Sequence, residues 1–179
     1  GLRGQSAGES SICTVGVTGS GLTYRGYDVV DLAKNTTFEE VAFLLLHNKL
    51  PNSQELKEYI EKLKSLRGLQ PEMRSTLEGI PKTAHPMDVL RTGCSVLGNL
   101  EQEESFLNQT DHADRMLSAF PSILSYWYQF SHYGKRIDTE TNDDTIGGHF
   151  LHLLHGQEAR ELHNQVMRNT WLLYAEHEF

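Results

Sequence analysis

Residues 37–66 read TFEEVAFLLLHNKLPNSQELKEYIEKLKSL, and this stretch carries two helices together with their start signals. Thr37 and Glu40 have the spacing of a capping box, and the apolar run VAFLLLH follows them. A proline interrupts the pattern, after which Asn52 and Glu55 repeat the same spacing ahead of ELKEYIEKLKSL. The stretch therefore predicts two successive capped helices.

Similar helix starts recur toward the C-terminus. Pro71 and Pro86 open PEMRSTLEGI and PMDVLRTGCSVLG, and proline is favoured at the first helical position. Pro121 lies inside the long segment DHADRMLSAFPSILSYWYQFSHYG, where we expect it to kink or break the helix. Asp143 or Asp144 is expected to open TIGGHFLHLLH. In all, the pattern predicts about seven helices.

The N-terminal part has a different pattern. SICTVG (residues 11–16) and LTYRGYD (residues 22–28) are rich in β-branched and aromatic residues, and the segment between them contains two glycines. This pattern predicts a β-hairpin with a loop longer than the tightest turn. Because no βαβ alternation follows, a parallel sheet is not expected. The expected fold class is all-α with a small N-terminal β-hairpin.

Composition and charge exclude several classes of protein. The 179 residues carry a formal net charge of −8, which argues against a nucleic-acid binder with a basic face. No apolar run approaches the roughly 20 residues that span a bilayer, so no membrane partner is expected. Cys13 and Cys94 are the only cysteines, and we expect two reduced thiols in a cytoplasmic protein.

Three patterns resemble functional motifs but favour a structural interpretation. His149, His152 and His155 are three residues apart, which on a helix spreads them over roughly 120° instead of aligning them for a metal. We expect them to be hydrogen-bonded or partly exposed, and we expect no metal site. The glycine-rich residues 16–26 lack the GK[ST] of a phosphate loop. Asp88 and Arg91 have the spacing of an ion pair on one helix, although an arginine could also hold a carboxylate or a phosphate.

His177 is the strongest candidate for chemistry. It lies in WLLYAEHEF (residues 171–179), where the apolar spacing continues without a stop signal, so the last helix is expected to run to the final residue. Leu162, Val166 and Leu173 share a helix face with it, so its ring should point inward. An imidazole there, flanked by two glutamates, could donate a hydrogen bond to a substrate oxygen, or could be a core residue.

Six blocks of the sequence, in order, resemble the citrate synthase family. They are LRGQSAGESSICTVG, LTYRGYDVVDLA, FEEVAFLLLHNKLP, HPMDVLRTGCSVLG, DDTIGGHFLHLLHG and LYAEHEF. The resemblance covers essentially the whole chain and is strongest to the bacterial 2-methylcitrate synthase branch. It implies a homodimer whose helices form a large and a small domain, with residues 1–179 as the N-terminal part of the large domain.

The resemblance also implies a reaction. The family condenses an acyl-CoA with oxaloacetate: a base removes a proton beside the thioester carbonyl, the enol or enolate attacks the ketone, and the CoA thioester is hydrolysed. The acyl group is propionyl in the 2-methylcitrate branch, which serves propionate breakdown, and acetyl in citrate synthase itself. The resemblance implies no metal or redox cofactor. The acyl-CoA is a substrate and is not counted as a cofactor.

Among the residues of this chain, only His177 matches a residue of the family site, the histidine that contacts oxaloacetate. The HGG-type and GHPVY-type histidine motifs and the catalytic aspartate have no counterpart in residues 1–179, so this chain alone is expected to be inactive. Two alternatives stay open. The protein could be a citrate synthase that uses acetyl-CoA, or a non-catalytic helical interaction domain whose uncovered apolar faces bind a partner.

Overall fold

The computed structural model describes residues 8–16, 21–103, 105 and 108–176. Within them lie eight α-helices and one three-stranded antiparallel sheet, which confirms the predicted fold class. The strands are β1 (Cys13–Val15), β2 (Leu22–Tyr24) and β3 (Tyr27–Asp28). The helices are α1 (Val29–Asn35), α2 (Phe38–His47), α3 (Ser53–Ser65), α4 (Pro71–Glu78), α5 (Pro86–Leu100), α6 (Gln109–Tyr133), α7 (Ile146–His155) and α8 (Glu161–Leu173).

The chain forms two compact units. The first contains the described residues up to Leu56 together with those from Gln165 onward, and the second contains Lys57–Asn164. The first unit therefore holds the sheet, α1, α2 and the C-terminal part of α8. The second holds most of α3, all of α4 to α7 and an apolar core that includes Met73, Leu77 and Ile123.

The predicted hairpin forms in the first unit, and a third strand extends it. Strands β1 and β2 pair antiparallel, with Cys13 opposite Tyr24. A tight turn through Arg25 and Gly26, which have φ angles of 48° and 86°, then brings β3 beside β2. The sequence did not predict β3 or α1, since a two-residue strand and a seven-residue helix are too short to show a period.

The two helix starts of residues 37–66 are confirmed. The Thr37 side chain accepts the backbone N–H of Glu40, and the Glu40 carboxylate accepts the N–H of Thr37, which is a complete capping box. The Asn52 side chain accepts the N–H of Glu55 at 2.9 Å, and the Glu55 carboxylate accepts the N–H of Asn52, also at 2.9 Å.

Helix α6 runs through the second unit without a break, so Pro121 does not break it, while the alternative expectation of a kink stays a prediction. Pro121 cannot donate a hydrogen bond to the carbonyl of Leu117. Its ring is buried, however, and the helix packs against α4, α5 and α7 around it. Burial of this long apolar face outweighs the single lost backbone bond.

Helix α7 begins one residue later than predicted. Thr145 is its N-cap and accepts the N–H of Gly148 at 2.9 Å, whereas Asp143 and Asp144 are engaged elsewhere. The Asp143 carboxylate contacts His152, and the Asp144 carboxylate pairs with Lys64. Tertiary partners of the two aspartates, which the sequence did not reveal, therefore decided the cap.

Helix α8 ends at Leu173, so the expectation that it would run to the final residue is wrong. The N–H of Ala175 donates to the carbonyl of Leu172, three residues earlier, which is the tightened turn common at helix ends. Tyr24 from β2 donates its hydroxyl to the carbonyl of Leu173 at 3.2 Å and so satisfies one of the terminal carbonyl groups.

Candidate functional site

His177, the candidate substrate-binding residue, lies outside the described residues. The prediction that its ring points inward therefore stays a prediction. The structure does describe the segment that leads to it. Leu172 is fully buried, and the ring of Trp171 packs edge-on against Phe38 with 5.6 Å between the ring centroids. Together with the Tyr24 hydrogen bond to Leu173, these contacts anchor the last turn of α8 in the first unit.

Tyr24 connects the sheet to this anchored turn. Its side chain is fully buried, and burial raises the pKa of its phenol. Because the neutral phenol keeps its proton, it donates steadily to the helix carbonyl. The sheet therefore fixes the end of α8, although sequence patterns alone gave no sign of this contact.

The apolar stripe that was expected to bury His177 is exposed in the described structure. Leu162, Val166 and Leu173 are 67%, 55% and 50% exposed. Helix α8 instead buries Leu172, which lies one position away from the stripe. Among the described residues this stripe is therefore not buried, and the contacts of Trp171 and Leu172, not the apolar spacing alone, decide which side of α8 packs.

A second cluster of polar groups surrounds His149 in the other unit. His149 is fully buried on α7, and each of its ring nitrogens lies 3.0 Å from a hydroxyl, Nε2 from Ser122 and Nδ1 from Thr141. Burial, helped by the nearby charge of Arg67, lowers its pKa to about 3. The neutral ring donates to one hydroxyl and accepts from the other, so both nitrogens are satisfied.

Arg67 orders the segment that precedes α7. Its guanidinium is almost fully buried and donates to the backbone carbonyls of Thr141 at 2.8 Å and Thr145 at 3.4 Å. These bonds fix residues 134–145, which carry no helix or strand until α7 begins. The sequence indicated a polar turn here, but it did not show which arginine holds it.

An acidic cavity of about 570 Å³ lies beside this segment. His152 and Asp143 line it, with His152 Nδ1 2.7 Å from an Asp143 oxygen. Burial raises the pKa of Asp143, but hydrogen bonds from Thr141 and His152 outweigh that effect and lower it overall. Asp143 is therefore a carboxylate at neutral pH, already engaged by its neighbours.

Two histidines of α7 and the Asp88–Arg91 pair make the hydrogen bonds and the ion pair that the structural interpretation of the sequence predicted. His149 and His152 are hydrogen-bonded, and His155 is exposed. No group of three metal-ligating side chains occurs in the part of the chain that the structure describes. Arg91 lies 3.2 Å from Asp88 on the surface of α5, with both side chains more than half exposed.

Solved structures share this fold over almost the whole chain. The crystal structure of citrate synthase from Thermotoga maritima covers 100% of the chain with a TM-score of 0.83 and 32% identity. The structure of citrate synthase from Thermoplasma acidophilum, a ternary complex with carboxymethyl coenzyme A and oxaloacetate, has a TM-score of 0.88 at 20% identity and shows the fold alone. The fold is therefore that of the citrate synthases, a class of mostly helical proteins.

Sequence comparison gives the family. Residues 1–179 match the family model described as citrate synthase, C-terminal domain. The chain is 64% identical to 2-methylcitrate synthase from Shewanella oneidensis over all of its length, and 31% identical to citrate synthase from Acidithiobacillus ferridurans over 99% of it. The chain belongs to the citrate synthase family. It spans about half the length of these relatives, 48% of each.

Proposed function

We propose that the protein containing these residues is a 2-methylcitrate synthase, which condenses propionyl-CoA with oxaloacetate and water to give 2-methylcitrate and CoA. The observation that carries the proposal is the 64% identity to 2-methylcitrate synthase along the entire chain. Identity to a citrate synthase falls to 31% over nearly the same residues, so acetyl-CoA is the less favoured substrate.

His177 has one role in this proposal, which is to bind oxaloacetate. Its imidazole would donate a hydrogen bond to a substrate oxygen and would not itself remove the acyl proton. The end of α8 supports this role, because Tyr24 and Phe38 hold it in place only a few residues before His177 in the sequence. The base and the acid of the reaction are proposed to lie outside residues 1–179.

The remaining expectations belong to the same proposal. The protein would act as a homodimer in the cytoplasm, in propionate catabolism, with no cofactor beyond its acyl-CoA substrate. The finding that bears on location concerns the described residues only: none of their helices combines the length and apolarity needed to cross a bilayer.

A thiol-release assay on the full-length protein tests this function. With oxaloacetate present, we expect CoA release from propionyl-CoA with a kcat/KM at least about tenfold above that for acetyl-CoA, the discrimination that one methylene in a fitted pocket can supply. Omitting oxaloacetate controls for simple thioester hydrolysis. A preference for acetyl-CoA would instead assign citrate synthase, and no oxaloacetate-dependent release from either thioester would favour the interaction domain.

A further inference from the structure

An open cleft of about 650 Å³ lies in the Lys57–Asn164 unit, and the proposed reaction gives it no role. Helix α4 contributes Arg74, Ser75 and Glu78 to its lining, and the segment after α6 contributes Arg136 and Asp138. We call it the Arg74 cleft. Two guanidinium groups from separate elements thus face one concave surface.

Arg74 has no anionic partner among the described residues. Its guanidinium lies 5.9 Å from the ring centroid of Tyr126, and its Nε is buried without a hydrogen-bond partner. An arginine carries five N–H donors and stays charged at any ordinary pH. The cation–π contact with the Tyr126 ring helps to hold the group but engages none of its N–H donors, so Arg74 is available for a ligand that brings acceptor oxygens.

The neighbouring Glu78 cannot serve as that partner, although it lies one helical turn from Arg74. Arg136 donates to both of its oxygens, at 2.7 and 2.8 Å, and the hydroxyl of Tyr126 donates to Oε1 at 2.7 Å. The hydrogen bonds from Arg136, and then that from Tyr126, lower the pKa of Glu78 to about 2. Glu78 is therefore a carboxylate whose charge is already matched by Arg136.

The other polar groups of the cleft set the character of its ligand. Ser75 is exposed and makes no hydrogen bond through its side chain among the described residues, so its hydroxyl is available as a donor next to Arg74. Asp138 opposes an anion, although one of its oxygens accepts the N–H of Glu140 at 3.0 Å. The charges of Glu78 and Arg136 neutralise each other, so the remaining charges of the cleft are those of Arg74 and Asp138, which nearly cancel. This cancellation limits the affinity for an anion, but the donors of Arg74 and Ser75 stay available to it.

We propose that the Arg74 cleft binds a small divalent oxyanion, with the guanidinium of Arg74 and the hydroxyl of Ser75 donating to its oxygens. Phosphate monoesters and dicarboxylates share this chemistry, and the volume of the cleft admits either class. Such a ligand would satisfy the donors of Arg74 without displacing the Glu78–Arg136 pair. The site is independent of the acyl transfer proposed above.

Isothermal titration of the full-length protein tests the proposal. Inorganic phosphate and malonate serve as the two probes, each against a chloride background of equal ionic strength. We expect at least one of them to bind with a millimolar Kd and Arg74→Gln to weaken that binding at least about tenfold, as for loss of a charged donor. The phosphate arm and the malonate arm show which class of oxyanion the cleft takes.

Matched variants keep the result interpretable. Arg91→Gln removes an exposed arginine from α5 and should leave binding unchanged, while Ser75→Ala should weaken it about threefold and does not depend on Arg74→Gln folding. Malonate bound at an oxaloacetate site would persist in Arg74→Gln, so only the difference between the two proteins counts. Equal binding by wild type and both cleft variants, or no binding of either probe above chloride, would overturn the proposal.

Discussion

Burial lowers the pKa of His149 far below that of an ordinary histidine. Its folded-state pKa of about 3 lies below the ordinary value of 6.5, so the unfolded chain takes up a proton between these values and the folded chain does not. Stability should therefore be fully present above about pH 6.5 and should fall as the pH decreases toward 3, by at most about 1.4 kcal/mol per pH unit from this group. Urea denaturation at a series of pH values measures the slope.

The variant His149→Gln isolates this contribution. It should be less stable near neutral pH, because the buried hydroxyl of Ser122 and the partly buried hydroxyl of Thr141 lose a partner, but its stability should depend less on pH below 6.5. His163→Gln is the matched control, since His163 is exposed on α8 and its loss should leave the slope unchanged. An unchanged slope in His149→Gln would show that other groups set the acid sensitivity.

His177 gives the second prediction at this scale. In the full-length protein, His177→Ala should raise the KM for oxaloacetate and lower kcat/KM by about a hundredfold or more, the cost of losing a hydrogen bond to a charged substrate group. Its thermal unfolding should stay close to that of the wild type. If steady-state kinetics showed an unchanged KM and kcat, His177 would have a purely structural role.

At the scale of helices, two glycines of α5 give a matched pair. A Cβ on Gly93 would lie 2.8 and 3.0 Å from two side-chain carbons of Ile123, a fully buried and β-branched residue of α6. A Cβ on Gly98 would meet nothing within 4 Å. Gly93→Ala should therefore lower the free energy of unfolding by about 1–3 kcal/mol, whereas Gly98→Ala should raise it by about 0.5–1 kcal/mol.

Chemical denaturation of the two variants checks this prediction. The two substitutions have the same effect on helix propensity, so the difference between them reports the contact of α5 with α6. Equal stabilisation in both would mean that α6 shifts to make room and that this helix pair is not closely packed.

The helices also show where local patterns succeed. Thr37 and Asn52 cap their helices as predicted, because capping depends on residues three positions apart. The break at Pro121 and the N-cap of α7 were predicted wrongly for the opposite reason. Burial keeps α6 continuous, and remote partners engage Asp143 and Asp144.

At the scale of the whole molecule, we predict that a polypeptide of residues 1–179 has no synthase activity. The condensation needs a base beside the acyl-CoA and an acid at the oxaloacetate carbonyl, each within hydrogen-bond reach of the reacting atoms. Among residues 1–179 only His177 is proposed to touch substrate. The measurement is CoA release from propionyl-CoA with oxaloacetate, with the full-length protein as positive control, and turnover near its rate would contradict the assignment.

The residues alone predicted an all-α chain, a hairpin at its start and the strongest helix starts, and the resemblance of six sequence blocks predicted the family. The fold class, the hairpin and the helix starts follow from the spacing of residues that are close together in the sequence. Burial of Arg67 and His149, the partner of Tyr24 and the inward side of α8 depend on residues brought together from distant parts of the chain. Only the tertiary structure decided these, because desolvation and hydrogen-bond geometry depend on neighbours in space and not in sequence.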